Sequence, residues 1–586
     1  MAGVPYKTLI DALHAAPAER PFVTEWVNED EQETVTFGEF RARARAQAAR
    51  LRAHGVEPGD RVVIIMPQGI AAMTVFAGAM LAAAAPAFIA YPNDKVEAAK
   101  YRSGLAGVTA NLKAKVVVID DEFPEEMREH VRVGDGSVVV RAGRKDEDEL
   151  GDSDGSDSAN LDSQKSASRK FDSQEFDPRQ IDSGSVAFIQ HSAGTTGLQK
   201  GVALTHAAVL RQLDHLAKAL SIESRDRIYS WLPLYHDMGL IACFMLPMVY
   251  HLPLVMQSPI DWVMVPETML AAISQHKCTL AWMPNFAFQF IPRRTRPDRR
   301  AEYDLSSVRA LINCSEPVRA RSMREFEEAF AGIGLKSDAL QSSYAMAENV
   351  FAVTQSPLGA QGPPRLWADA KEFRGAARIR EVQEQAAQSV EFVSSGRLLP
   401  NHEIRIVADD GKQLEDGRVG EILVKSDCLF EGYYNRPDLT AEAIVAGWYH
   451  TGDLGFCWEQ ELYVVGRKKD LIIVGGENLY PQDIEEIAGR HAAVHDGRVI
   501  AMGLYNPSLG TEEIVVVAEV ENEALLDKAE QIEREIREQV AAGMGVTVPT
   551  IFLKPPKWIV KSTAGKAARS STLEKLGREH PEWEVD

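Results

Sequence analysis

The densest grouping of chemically useful residues is His191-Ser-Ala-Gly-Thr-Thr-Gly-Leu-Gln-Lys-Gly201. Glycines at 194, 197 and 201 let the backbone turn tightly and bring N–H groups close to phosphate oxygens. Ser192, Thr195 and Thr196 add hydroxyl donors, and Lys200 adds a positive charge. The spacing is not that of a Walker loop, G-x-x-x-x-G-K-[ST]. Taken alone, the stretch fits a phosphate cradle and a structural turn equally well.

The elements that must hold it are readable from periodicity. Strand-like Val186-Ala-Phe-Ile-Gln runs into the stretch, and a helical pattern starts at His206. From Tyr6 to about Asp121, aliphatic runs such as Val62 to Met66 and Val116 to Ile119 alternate with amphipathic segments such as Thr36 to Arg52. Alternation of this kind predicts parallel sheets covered by helices. The same pattern resumes at Val186 and continues to about Ile406. Gly420-Glu-Ile-Leu-Val-Lys, with alternating faces, predicts a more antiparallel region. After Gly466-Arg-Lys-Lys-Asp470 a smaller α+β unit begins, with helices at Pro481 to Gly489 and Ala524 to Ala542 beside a strand at Glu513 to Val520. The boundary is placed near Lys469.

Composition narrows the class. A chain of 586 residues is too long for one simple core, and the length prior suggests roughly three to four units of about 150 residues. The net charge of −21 argues against a nucleic-acid partner, because such binding depends on Lys and Arg neutralising phosphates. Five widely spaced cysteines without a C-x-x-C pair read as reduced thiols, and no secretory pattern opens the chain, so a cytoplasmic location is expected. Ile70 to Ala90 carries no charge over 21 residues. It reads as core helix and strand rather than a membrane span, since Gly78 and Pro86 interrupt it. Residues from about 143 to 185 are rich in Asp, Ser, Lys and Gln and read as a long polar loop.

Six motifs in order resemble the adenylate-forming superfamily of acyl-CoA synthetases, fatty acyl-AMP ligases, adenylation domains and luciferases. They are the 191–201 stretch, Trp231-Leu-Pro-Leu-Tyr-His-Asp-Met-Gly-Leu, Asn313-Cys-Ser-Glu-Pro, Tyr344-Ala-Met-Ala-Glu348, Tyr449-His-Thr-Gly-Asp453 with Gly466-Arg-Lys-Lys-Asp470, and Lys561-Ser-Thr-Ala-Gly-Lys566. The resemblance implies an α/β fold: a large N-terminal domain, 1–468, of two helix-covered sheets plus a β-rich subdomain, and a small mobile α+β C-terminal domain, 469–586. It implies ATP and Mg²⁺ as cofactors. The nucleotide would be held by Ser192, Gly194, Thr195, Thr196, Gly197 and Lys200, by Ser315, Glu316 and Pro317, by Ser343, Tyr344 and Ala345, and by Asp453 and Arg467. Glu348 and Thr195 would hold the metal, Lys566 would reach the reacting carboxylate and phosphate, and His236 would line the acyl channel. The residues around Trp282 to Phe290 would supply an apolar wall.

Within the superfamily the sequence is most similar to fatty acyl-AMP ligases, through Met283-Pro-Asn-Phe-Ala-Phe, Glu316-Pro-Val-Arg and Tyr480-Pro-Gln-Asp-Ile-Glu. Asn349 to Ser395 places 47 residues between the metal-side acid and the next glycine motif, which resembles that branch's insertion. The implied partners are a fatty acid and an acyl-carrier protein, with coenzyme A as the alternative acceptor.

Overall fold

A computed structural model describes residues 4–92, 98–131, 138–141, 181–191, 200–359, 361–386, 388–506, 511–561 and 567–580. The polar loop expected at 143–185 lies almost wholly outside them.

Two sheets form the frame, the larger mainly and the smaller wholly parallel. The larger has nine strands, and six neighbours run parallel in the order Leu340–Ala345, Ala310–Asn313, Leu280–Met283, Ile228–Ser230, Leu254–Met256, Pro21–Trp26. The smaller is parallel throughout, in the order Ala85–Phe88, Arg61–Ile65, Val116–Ile119, Val138–Arg141. Strands covered on both faces read as continuous aliphatic runs, which is why Val-Val-Ile-Ile and Val-Val-Val-Ile are visible in the sequence.

Helices pack where their patterns require. Phe37–Ala53 begins with a capping box, Thr36 and Glu39, that satisfies two backbone N–H groups reciprocally, and it buries Phe37, Phe40, Ala44, Ala48 and Leu51 along one stripe. Ile70–Leu81 is apolar all round, and every residue but Ala71 is buried. It lies against Phe37–Ala53, and a Cβ added at Gly78 would stand 2.8 Å from the Ala44 carbonyl oxygen. The uncharged run is therefore a core helix, as its interruptions predict. Among the described residues no helix is long and apolar enough to cross a membrane.

The antiparallel region expected near Gly420 is a five-stranded sheet that joins His402–Val407, Gly420–Ser426, Trp448–Trp458, Ile444–Val445 and Glu461–Arg467. Beyond it, Val494–Asn506, Thr511–Val520 and Thr550–Lys554 make a three-stranded mixed sheet. Ala529–Met544 packs Ile532, Ile536 and Val540 into an apolar cluster with Ile484, Val516 and Ile551. The stretch 349–395 is more structured than a loop: Arg365–Asp369 pairs with Ser389–Val393, and Ala370–Ala376 is a helix capped by Asp369.

Candidate active site

Adjacent residues of Leu340–Ala345 face opposite ways, as pleating demands. Ser343 donates its hydroxyl to the Thr354 carbonyl oxygen at 2.7 Å, within the sheet. Tyr344 donates its hydroxyl to Asp453 Oδ2 at 2.6 Å. Asp453 pairs in register with Arg467 on the neighbouring strand, and Arg467 Nε stands 3.4 Å from Asp453 Oδ1. Burial pushes the Asp453 carboxyl above the usual range, while the Arg467 charge and the Tyr344 hydrogen bond pull it back. Three strands from two sheets thus deliver a phenol, a carboxylate and a guanidinium to one place.

Glu348 follows in a tight 3₁₀ turn, Ala347–Asn349. The turn is anchored by Asn349, whose amide donates to Gln212 Oε1 at 3.2 Å and to the Ala352 carbonyl oxygen at 2.9 Å. The next residue, buried Val350, has φ +62° and ψ −53°, and the Phe351 N–H donates to the Asn349 carbonyl oxygen at 2.7 Å. This is a γ-turn of the strained positive-φ kind on a β-branched residue. Burial pushes the Glu348 carboxyl up, against the pull of a hydrogen bond from Tyr433, whose hydroxyl lies 2.8 Å from Oε1.

Tyr433 also joins Glu348 to the phosphate-loop flank. The Lys200 ammonium sits 4.5 Å from the centroid of the Tyr433 ring, and the Tyr434 N–H donates to the Gly201 carbonyl oxygen at 2.7 Å. Ser192, Gly194, Thr195, Thr196 and Gly197 lie outside the described residues, as does Lys566.

The remaining predicted residues lie on several separate segments. Ser315 holds φ +69° at the end of Ala310–Asn313, and Glu316 accepts the Phe286 N–H at 3.0 Å. Pro317 is exposed and Ala345 half-buried. His236 Nδ1 lies 2.6 Å from Asp237 Oδ1, just before the π-helical turns Met238–Met245. Gly239 is required there, because a Cβ would come within 2.3 Å of the Pro233 carbonyl oxygen.

The apolar stretch Trp282 to Phe290 divides in two. Trp282 and Phe288 are core residues, and Phe288 packs on Phe326. Phe286 and Phe290 of the same stretch lie around Trp231 stacked on Trp262, centroids 3.5 Å apart, beside the His236 motif. Trp262 escapes a reading of the sequence because Ser258-Pro259 looks like a loop, although Ser before Pro is also a helix-start signal. Tyr433 escapes it because nothing near it in sequence points to Lys200 or Glu348.

A family model described as AMP-binding enzyme matches residues 11–434. The chain belongs to that family. Members of the AMP-binding enzyme family use ATP to form acyl-adenylates, and the arrangement above has groups suited to that nucleotide. The chain is 29% identical to the 4-hydroxyphenylalkanoate adenylyltransferase of Mycobacterium marinum, over 97% of this chain and 91% of that one. It is 29% identical to a long-chain-fatty-acid–AMP ligase of Mycolicibacterium smegmatis, over 91% and 88%. A solved structure from studies of fatty acyl-adenylate ligases of E. coli and L. pneumophila superposes with a TM-score of 0.86 at 26% identity, covering 99% of both chains. The L. pneumophila ligase in complex with acyl adenylate and pyrophosphate gives 0.70 at 28% identity, covering 98% of this chain and 96% of that one. The α/β expectation and the resemblance to fatty acyl-AMP ligases agree with these matches.

Proposed function

We propose that the protein activates a fatty acid with ATP as its acyl-AMP and passes the acyl group to the thiol of an acyl-carrier protein. The observation that carries this reading is the meeting of Lys200 and Glu348 on one tyrosine. The Tyr344–Asp453–Arg467 group suits a ribose and its phosphate.

A carboxylate oxygen attacks the α-phosphorus, a phosphorus–oxygen bond forms, and the bond to the β-phosphate oxygen breaks, with pyrophosphate leaving on its electron pair. The acid is already ionised at neutral pH, so His236 serves as channel wall and not as base. Catalysis is then positioning and electrostatic stabilisation. Asp453 accepts the ribose hydroxyls, Ser315, Glu316, Pro317, Ala345 and the Tyr344 ring border the adenine, and Lys200 and Lys566 face phosphate oxygens. Ser343 contributes through its backbone, since its hydroxyl is committed to Thr354.

Magnesium fits the donor set. Glu348 is a hard oxygen ligand held by neutral phenol, it forms no ion pair among the described residues, and the nearby Asp237 charge disfavours its ionisation. Glu348 and Thr195 would hold the ion, which when bound neutralises phosphate charge.

The choice of carrier protein over coenzyme A is supported by the 349–395 insertion. Its Phe373 stacks on Tyr480 and its Arg374 donates to the Met544 carbonyl oxygen at 2.7 Å. Residues 1–468 and 469–586 act in this reading as two bodies hinged near Lys469, and these contacts tie the second to the first. A cytoplasmic location, where ATP and reduced thiols coexist, completes the proposal.

The test is pyrophosphate release from ATP across a panel of fatty acids, followed by product analysis with coenzyme A and with a phosphopantetheinylated carrier. Silence across the whole panel defeats the reading, and faster coenzyme A thioester formation reassigns the acceptor.

A further inference from the structure

We propose that Tyr433 is a positioning residue that keeps the phosphate-side lysine and the metal-side acid apart until substrate arrives. The inference rests on the ligase reading above. Lys200 and Glu348 carry opposite charges and approach the same ring. Lys200 is exposed and Glu348 partly buried, and an ammonium and a carboxylate so placed attract each other. An ion pair between them would have to be broken before either partner could bind its share of ATP and metal.

The ring gives each group a partner other than its opposite charge. Its face receives the Lys200 ammonium at 4.5 Å, and its hydroxyl donates to Glu348 Oε1 at 2.8 Å. Each charge is stabilised by a neutral group, through a cation–π contact on one side and a hydrogen bond on the other. Both contacts can be exchanged for substrate atoms without separating two formal charges. The Tyr449 hydroxyl lies 3.4 Å from that of Tyr433 and backs it.

The backbone prevents the ring from drifting. Gly432–Tyr433 pairs antiparallel with Gly201–Thr205, setting Tyr433 opposite Val202. Immediately upstream, the Phe430 N–H donates to the Glu348 carbonyl oxygen at 2.9 Å. The Tyr433 N–H is held by Thr440 Oγ1 at 2.9 Å. One short segment is therefore clamped at both ends, to the strand leaving the phosphate loop and to the turn bearing the acid.

Two variants separate the two contacts. Tyr433→Phe keeps the ring under Lys200 and removes the hydroxyl; Tyr433→Leu removes both. Binding of Mn²⁺ in the presence of α,β-methylene-ATP is followed by electron paramagnetic resonance, alongside kcat and the KM for ATP. Tyr433→Phe is expected to weaken Mn²⁺ binding about tenfold, the usual scale for losing a hydrogen-bond partner of a metal ligand. Its KM for ATP should stay within about twofold, because the cation–π contact survives. Tyr433→Leu is expected to raise the KM for ATP about tenfold as well, as Lys200 falls onto Glu348. Wild-type Mn²⁺ affinity in Tyr433→Phe overturns the proposal, and so does equal nucleotide affinity in the two variants. If Tyr433→Leu does not fold, the Mn²⁺ titration of Tyr433→Phe decides alone. Absence of pyrophosphate release by the unaltered protein would defeat the ligase reading, while the Mn²⁺ and nucleotide titrations would still judge Tyr433.

Discussion

Phe373 and Tyr480 face each other as nearly parallel rings, with centroids 5.0 Å apart and planes 17° apart. Phe373 belongs to the stretch 349–395 that follows Glu348, and Tyr480 immediately precedes the helix Pro481–Ala488. In the proposed reading the stack couples that stretch to a segment that moves before a thiol approaches. An aromatic pair of this kind contributes about 0.5–1.5 kcal/mol beyond its buried area.

Removing that coupling should widen acceptor choice. Phe373→Ala, or deletion within Lys371 to Ala387, is expected to raise coenzyme A thioester formation about 2- to 13-fold, the factor that such an energy represents. Pyrophosphate release should change little. Product chromatography with coenzyme A measures this, and an unchanged yield from a folded variant counts against the assigned role.

Asp453 is proposed as the ribose-side anchor, and Tyr344 is its hydrogen-bond donor. Loss of a hydrogen bond to a charged group costs about 1.5–3 kcal/mol, so Asp453→Ala should raise the KM for ATP by roughly 10- to 150-fold. Tyr344→Phe leaves the carboxylate in place and should act less, by about 2- to 10-fold. Steady-state kinetics give the order of the two effects, and a reversed order would contradict the ribose assignment.

Lys566 is proposed to serve the first half-reaction alone. Lys566→Ala should slow acyl-AMP formation by about 10²- to 10³-fold, the usual result of deleting one preorganised charge-stabilising donor. Consumption of preformed acyl-AMP by the carrier thiol should proceed at the original rate. Single-turnover measurements of both steps settle the matter, and equal slowing of the two would be inconsistent with a lysine that acts before the hinge turns.

His206 links stability to pH. It is buried, its Nδ1 accepts the Leu9 N–H at 3.3 Å, and burial lowers its pKa from 6.5 to about 4. The unfolded chain takes up the proton near 6.5 and the folded chain only near 4. Stability from the neutral imidazole is therefore complete above the higher value and is lost as pH falls towards the lower one. The loss is on the order of 3 kcal/mol. Urea midpoints measured between pH 7 and pH 4.5 should show it, and His206→Gln should flatten the slope. Identical slopes in the two proteins would remove His206 as the cause.

Much of this architecture is legible in the amino-acid sequence. Val62 to Met66 and Val116 to Ile119 announce buried parallel strands because their composition is continuous, and strands stand at Arg61–Ile65 and Val116–Ile119. Thr36 to Arg52 announces a helix because its periodicity is local, and a helix stands at Phe37–Ala53. Glu348 and Asp453 stand out through the order of motifs around them. Tyr433, Trp262 and the two faces of Ser343–Tyr344 do not, because their meaning arises from pairings between distant strands. Gly432–Tyr433 pairs with Gly201–Thr205, a strand far away in sequence. Trp282 reads as pocket lining, since an apolar residue on a strand is equally suited to core and cavity.

The γ-turn at Val350 bears on how this protein would respond to selection in the laboratory. A screen for heat tolerance alone has an obvious target at position 350, since a residue at ease with positive φ would release strain on the order of 1–3 kcal/mol. Hardier clones of that kind would gain slack in the loop that aims Glu348, and sluggish turnover is the expected accompaniment. Ruggedness and speed would then pull this one peptide unit in opposite directions.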